Sequence, residues 1–387
     1  MNVILALGII MITGVVGGKL VGYINFPSVT GYLVFGILVG PSLLNLVPKE
    51  MVSELAPVND LALGIIAVSI GGELSWKRLK KSGKNLSKLF LSEAFLTFLL
   101  VTSISWFLSS SLPIALVLGV LSMATAPAAI LAMIRDYRAR GEFPSLLLSL
   151  VALDNLFCII SFGIVTTLLQ MVYFEAAPLS LAMLGGVAGN MLLSIIIGVF
   201  LGFAISYLSS FSLPENKFLV IILGVILLGV GTGIALNLSS LLITMIMGLV
   251  MVNFSYQPQQ IFALIGRIDT PILVTFLTMA GVKLDLGILS QIGLLGAAYI
   301  IARLAGKIIG AALGATFCRD MPKSYRRGIP MALTPQAGVA IGLSILVEQK
   351  LPLPEGLIVT LILSTVIIFE LLGPLLVKRA LEITDAI

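Results

Sequence analysis

The sequence predicts an all-α polytopic membrane protein with about thirteen transmembrane helices. Of the 387 residues, 59% are hydrophobic and only 11% are charged, and the mean hydropathy is +1.15. These values lie far outside the range of water-soluble domains. Apolar segments run from Asn2 to about Arg379, so we expect one membrane unit over residues 1–387 and no separate soluble domain.

The predicted spans are apolar windows of about 17 to 25 residues that are separated by charged residues, prolines or Asn/Ser clusters. They lie near residues 2–22, 28–47, 58–75, 86–109, 113–134, 145–173, 181–208, 217–234, 238–254, 268–283, 287–318, 328–348 and 355–377.

Basic residues are concentrated in alternate loops between these spans. The loops after the third, fifth and eleventh spans are rich in Lys and Arg, whereas the loops at 109–113 and 237–240 contain neither. The positive-inside rule therefore predicts an external N-terminus and a cytoplasmic C-terminus in a plasma membrane. Because the bases lie in short loops, the net charge of +5 does not indicate a nucleic-acid partner.

A weak internal repeat relates the two halves of the chain. Glu73 and Lys283 end the third and tenth spans in similar Gly-containing contexts, 210 residues apart, and Pro127 and Pro335 are 208 residues apart. The displacement corresponds to seven spans, an odd number, so the halves must have opposite orientations. This pattern is typical of the inverted repeats of secondary transporters.

Asp154 is the only charged residue between Ser145 and Phe174. Thirty helical residues rise roughly 45 Å, which is enough to cross a bilayer. A carboxylate inside such a span is costly unless it faces protein, water or a partner, so Asp154 predicts an ion-translocation site.

Two prolines predict breaks in the fifth and twelfth spans. Pro127 and Pro335 each lie eight residues from a cytoplasmic arginine, or roughly 12 Å deep, close to the level of Asp154. Proline removes a backbone donor, and exposed backbone is tolerated in a membrane only where it lines a cavity or binds a ligand. We therefore expect two crossed, discontinuous helices, with breaks at Ala126, Pro127, Thr334, Pro335 and Gln336.

The eleventh span contains two bases but no acid. Arg303 and Lys307 are four residues apart and so share a helix face. Lys307 matches the depth of Asp154 better, but either base could be its charge partner. Glu93, in the fourth span, is expected to form a structural ion pair with one of them.

Five motifs together resemble the monovalent cation:proton antiporter-2 family, which is sodium/proton antiporter-like. They are TAPAA at 125–129, ALDN at 152–155, ARLAGK at 302–307, TPQAG at 334–338 and FELLGP at 369–374, so the resemblance covers essentially the whole chain. It implies a homodimer that exchanges sodium or potassium for protons by an elevator movement. It also implies a core of about 58–173 and 268–377 and dimerisation helices of about 2–47 and 181–254.

In this resemblance, Asp154 and Asn155 occupy the ion-binding pair of the family. Many electrogenic members have two adjacent carboxylates there, whereas this chain has an amide in the second position. Sodium prefers oxygen ligands, so Asp154, Asn155, Thr125 and carbonyls near Ala126 are the candidate ligands. One carboxylate predicts electroneutral, one-for-one exchange, with the ions as substrates and no cofactor.

Other transport functions remain open at this point. They are a potassium/proton antiporter, an organic-anion symporter on a similar crossed-helix core, a gated potassium efflux pathway and a non-transporting sensor. An enzyme is not expected, because the sequence shows no nucleophile–base set, metal cluster or phosphate-binding loop. Since it contains no histidine, proton transfer must use carboxylates, lysine or water.

Overall fold

The computed structural model describes residues 2–23, 28–174, 181–211, 214–284, 286–289, 293–318, 321–336 and 338–387. Every regular element in these ranges is helical. The α-helices are α1 (Val3–Gly22), α2 (Ser28–Val39), α3 (Lys49–Glu54), α4 (Ala56–Gly72), α5 (Trp76–Ser109), α6 (Leu112–Met123), α7 (Pro127–Asp136), α8 (Glu142–Leu168), α9 (Leu181–Leu208), α10 (Glu215–Ala235), α11 (Ser240–Phe254), α12 (Pro258–Lys283), α13 (Leu286–Leu289), α14 (Gly293–Thr316), α15 (Lys323–Ala332), α16 (Gly338–Lys350) and α17 (Leu357–Ile383). A π-helical segment at Leu169–Phe174 extends α8.

Eight helical segments of the described chain are long and apolar enough to cross a membrane. Four shorter apolar helices, α2, α4, α6 and α11, have lengths of 10 to 17 residues. The all-helical, multi-pass membrane architecture predicted from the sequence is therefore confirmed.

The predicted fifth and twelfth spans each consist of two helices. The fifth is divided into α6 and α7, with residues 124–126 between them, and the twelfth into α15 and α16. Proline opens α7 at Pro127, where its missing amide costs no intrahelical bond. Both interruptions fall where the prolines predicted them.

Several predicted boundaries differ from the structure. The second span, expected at 28–47, ends with α2 at Val39, and the tenth, expected at 268–283, is the end of α12, which begins at Pro258. The fourth span, expected at 86–109, is the end of a 34-residue helix that begins at Trp76. Lysine and arginine are good helix formers, so the basic segment continues the helix outside the apolar window. The eleventh span, expected over 287–318, includes α13 and α14, and residues 290–292 between them lie outside the described part.

Small residues bring α5 and α14 into backbone contact. A Cβ atom added at Gly306 would lie 2.6 Å from Thr97 Cα, and one added at Gly310 would lie 2.8 Å from Glu93 Cα. Gly314 repeats this contact one turn further along, against Leu89. This stripe of glycines lets the two helices approach closely in the membrane and fixes α14 opposite Glu93.

Glycines also join α4 to α11 and α2 to α12. A Cβ atom at Gly71 would overlap Met245 O of α11, and one at Gly248 would overlap Val68 O of α4. The second pair repeats the arrangement, because Gly281 meets Leu33 O and Gly36 meets Thr278 O.

Candidate ion-binding site at two interrupted helices

The two helix interruptions contact each other inside the protein. The amide of Ala126 donates a hydrogen bond to Pro335 O across a distance of 3.0 Å. The helices that precede the breaks, α6 and α15, end at Met123 and Ala332. Each therefore directs the partial negative charge of its C-terminal carbonyls into a buried region, where a cation stabilises them.

Arg303 of α14 bridges both interruptions through backbone carbonyls. Its guanidinium donates to Ser122 O at 3.0 Å and Ala124 O at 2.7 Å on one side, and to Thr334 O at 2.7 Å on the other. The guanidinium carbon also lies 4.4 Å from the centre of the Phe369 ring. The planar fork of an arginine suits this role, since its several donors have fixed directions.

Lys307 lies one turn further along α14, between two carboxylates. Its ammonium group is 2.7 Å from Glu93 Oε1 and 3.0 Å from Asp154 Oδ2, and all three side chains are fully buried. It also donates to Met123 O at 2.7 Å and contacts Thr125 Oγ1 at 2.9 Å. Of the two bases, Lys307 is therefore the one that pairs with Asp154, and Glu93 shares it.

Asp154 is held by one of its two carboxylate oxygens. Thr125 Oγ1 donates to Asp154 Oδ2 at 2.7 Å, and the same oxygen contacts Lys307. Within the described residues, Asp154 Oδ1 has no hydrogen-bond partner. A fully buried carboxylate oxygen without a donor is costly, so this atom is available to a proton or a cation.

Asn155 uses its amide nitrogen to fix the first interruption. Its Nδ2 donates to Thr125 O at 2.7 Å and to Val151 O at 3.0 Å. Its Oδ1 is buried and, among the described residues, has no hydrogen-bond partner. The amide thus contributes two donated bonds that a carboxylate could not make, and leaves one buried oxygen without a described partner.

Gln336 connects the second interruption to a residue that the sequence analysis missed. Its Nε2 donates to Leu121 O at 2.9 Å and to the hydroxyl of Tyr299 at 2.8 Å. Tyr299 is fully buried on α14. The sequence does contain a signal for it, because Tyr299, Arg303 and Lys307 follow each other at intervals of four and so share one helix face.

A cavity of about 2020 Å³ reaches the first interruption. Its lining includes Ala126 and Pro127 at the break, Asp269 of α12, Glu370 of α17, and Lys378 near the C-terminal end of α17. We call it the open cavity. Its lining residues come from α2, α4, α5, α7, α11, α12, α16 and α17 and from the segments next to them.

These features define the class of the protein, which is that of membrane transporters with a charged site buried at interrupted helices. The family model described as "Sodium/hydrogen exchanger, transmembrane" matches residues 7–382. The chain belongs to the sodium/hydrogen exchanger family, so it is a cation/proton antiporter and not an enzyme. Its ions are substrates and it needs no cofactor, and the resemblance to sodium/proton antiporters seen in the motifs is confirmed.

Solved structures agree with this fold. The sodium proton antiporter MjNhaP1 from Methanocaldococcus jannaschii at pH 8 is 18% identical, with a TM-score of 0.80 and coverage of 98% of both chains. A second structure of MjNhaP1, from an electron microscopy map, is 17% identical, with a TM-score of 0.66 and coverage of 100% of this chain and 96% of that one. A search of curated protein sequences found no match.

Proposed function

We propose that this chain exchanges one sodium ion for one proton at Asp154. The observation that carries the proposal is the state of the Asp154 carboxylate, whose Oδ2 is held by Thr125 and Lys307 while Oδ1 has no partner among the described residues. A single carboxylate of this kind can hold a proton or a cation, but not both together. Competition for it couples the two fluxes.

The neighbouring oxygens complete a site for a hard cation. Asn155 Oδ1 is buried without a described partner, and Thr125 Oγ1 lies 2.7 Å from Asp154 Oδ2. Together with Asp154 they offer the oxygen ligands that sodium prefers.

Lys307 keeps its charge during this exchange. When a cation approaches Asp154, Lys307 can leave that carboxylate and stay paired with Glu93, 2.7 Å away. Each half-cycle then carries one positive charge on Asp154, either a proton or a sodium ion, so the exchange is electroneutral.

The repeated glycine contacts support an inverted repeat. Gly71 pairs with Gly248 across α4 and α11, and Gly281 pairs with Gly36 across α12 and α2. Gly281 follows Gly71 by 210 residues and Gly248 follows Gly36 by 212, close to the offsets of the motif pairs. In this architecture the interrupted spans cross near the middle of the bilayer, and the passages number thirteen when α6–α7 and α15–α16 each count as one.

Alternating access is proposed to occur by an elevator movement. The open cavity is lined both by α7, α16 and α17, which carry or contact the site, and by α2, α4, α5, α11 and α12. The glycine contacts join α4 to α11 and α12 to α2. This favours grouping α4 and α12 with the dimerisation helices, which we call the scaffold. The proposed core then begins at α5 and resumes at α14, rather than including residues 58–75 and 268–283 as the resemblance implied.

The proposed assembly and orientation follow the sequence. We propose a homodimer in the plasma membrane, joined through the scaffold, with the N-terminus outside and the C-terminus in the cytoplasm. Lys77 and Lys378 line the open cavity, which supports a cytoplasmic opening.

The organic-anion reading receives less support. It required Arg303 and Lys307 to be available to a substrate carboxylate. Instead, Arg303 donates to backbone carbonyls of both breaks, and Lys307 contacts Glu93 and Asp154.

Ion flux in reconstituted vesicles tests the proposal. Proteoliposomes with an internal pH dye would receive sodium, lithium, potassium or choline gradients in separate experiments. We expect a sodium gradient to move protons at a rate that an imposed membrane potential does not change. We expect a choline gradient to move none. Proton flux with potassium but not with sodium would identify potassium as the substrate. Uptake of an organic anion without proton movement would reject antiport.

A further inference from the structure

Glu370 is a buried acid that the proposed exchange does not use. It lies on α17 and its side chain is only 2% exposed. In the described part of the protein, its Oε1 has no hydrogen-bond partner. Glu370 nevertheless borders the open cavity, together with Pro374 one turn further along the same helix.

Glu370 also lies close to the two interruptions. It precedes Lys378 by eight residues, which places it roughly 12 Å from that base along the helix axis, about as far as each break lies from its cytoplasmic arginine. Its neighbour Phe369 packs against Arg303, and a Cβ atom at Gly373 would lie 2.8 Å from Pro335 Cγ. The helix face that carries Glu370 thus contacts the second break.

No described basic side chain forms an ion pair with Glu370. Arg303 and Lys307 of α14 are engaged by carbonyls, Glu93 and Asp154. The helices packed against α17 carry other charged or titratable groups: Tyr32 of α2, Arg267, Asp269 and Lys283 of α12, Tyr299 of α14, Lys323, Tyr325, Arg326 and Arg327 of α15, and Glu348 and Lys350 of α16. The side chains of Arg135 and Asp136 on α7 lie outside the described part. On α17 itself, Lys378 stacks on Tyr137.

Burial without a partner favours the neutral form of a carboxyl group. An unpaired buried carboxylate is far more costly than the corresponding acid, whereas a proton can reach Glu370 from water in the adjoining cavity. We propose that Glu370 is a second proton-binding site of the transport unit, which exchanges its proton with water in the open cavity. This inference builds on the proposed antiport, in which Asp154 is the carrier.

The second site changes how exchange responds to pH on the cavity side. When Glu370 loses its proton to cavity water, it adds a negative charge near the breaks, and this charge favours cation entry. Protonation of Glu370 and of Asp154 therefore both oppose sodium binding from the cavity. Two coupled protons make the pH dependence steeper than one.

Infrared spectroscopy of the purified protein tests proton binding directly. The carbonyl stretch of a protonated carboxyl group would be followed during a pH titration of the wild type and of Glu370→Gln. At neutral pH we expect the wild type to show a carbonyl band that is missing in Glu370→Gln. The control Glu348→Gln, which changes another carboxyl group with a buried oxygen, on α16, should retain that band. Identical titrations in the wild type and Glu370→Gln would overturn the proposal.

The infrared result also separates this proposal from the antiport itself. Asp154→Asn should abolish exchange but keep the band that Glu370→Gln removes. Loss of that band in Asp154→Asn alone would assign it to Asp154 and reject Glu370 as a separate site.

The pH dependence of exchange gives the functional test. The steepness with which the exchange rate depends on cavity-side pH should correspond to roughly two protons in the wild type and to roughly one in Glu370→Gln. Glu370→Asp, which keeps a titratable group, should retain the steep profile. Unchanged steepness in a folded, active Glu370→Gln would contradict the proposal.

Discussion

At the residue scale, the site depends on one lysine shared by two acids. Lys307 contacts both Glu93 and Asp154, and all three are fully buried. Such groups are stable only when each charge has a partner, because desolvation in the protein interior is costly. The two acids differ in their other contacts. Thr97 donates to Glu93 at 3.2 Å, whereas Asp154 adjoins the helix break through Thr125.

Replacement of Glu93 by glutamine tests this division of roles. Glu93→Gln should slow sodium-driven exchange without abolishing it, because Asp154 remains but Lys307 has no other acid to pair with while Asp154 holds a cation. It should also lower the thermal midpoint of the purified protein. We expect a loss of about 1–3 kcal/mol, the usual cost of weakening a buried charged hydrogen bond. Loss of exchange at unchanged thermal stability would instead make Glu93 a carrier.

Asn155 has a structural role that a carboxylate could not perform. Asn155→Asp removes the donors to Thr125 O and Val151 O and places a negative charge against both carbonyls. We expect the variant to lose about 1–3 kcal/mol, mainly through the lost donor at the buried Thr125 O, since Val151 O keeps its backbone bond within α8. Thermal unfolding in detergent measures this loss. Asn237→Asp, in a turn at φ 54°, is the control, and equal stability of both variants would refute the assigned role.

At the element scale, α14 is positioned by its glycine stripe against α5. The close approach places Lys307 against Glu93, because Gly310 packs directly on the Glu93 backbone. In lipid, such helix contacts depend on close packing and not on the exclusion of water. The register of α14 therefore determines the charge pairing at the site.

Substitution within the stripe should separate the two helices. Gly310→Val would place its Cβ 2.8 Å from Glu93 Cα, so we expect lower thermal stability and loss of exchange. Gly296→Val, on the same helix but with no atom within 4 Å of its Cβ, should behave as the wild type. Equal activity and stability of the two variants would show that the close contact is not required.

At the scale of the whole molecule, the open cavity must close for the site to change sides. Gly266 lines this cavity, and a side chain there would meet no atom within 4 Å. Gly266→Cys should therefore fold normally, and a bulky thiol reagent attached to it should block exchange by keeping the two walls apart. The native Cys158 and Cys318 are fully buried, so the wild type treated with the same reagent is the control. Full exchange after complete labelling would argue against closure of this cavity.

The sequence predicted the charged residues and the helix breaks of the site better than it predicted the hydrogen bonds that join them. Depth along the helices left both Lys307 and Arg303 open as partners of Asp154, and the structure brings Lys307 into contact with it. The prolines located both interruptions. The role of Arg303 could not be predicted, because its acceptors are backbone carbonyls and any residue type supplies those. Gln336 was expected only as part of a break, since its contact with Tyr299 depends on how α14 packs against the second interruption.

Proton flux in proteoliposomes containing Asp154→Asn decides whether Asp154 carries the exchanged ions. Asparagine has nearly the shape of aspartate but can neither bind a proton nor supply a negative charge. With equal amounts of folded protein, the account predicts that a sodium gradient moves no protons in this variant. Asp60→Asn, the same change in another membrane helix, should remain active. Wild-type proton flux in Asp154→Asn would contradict the account.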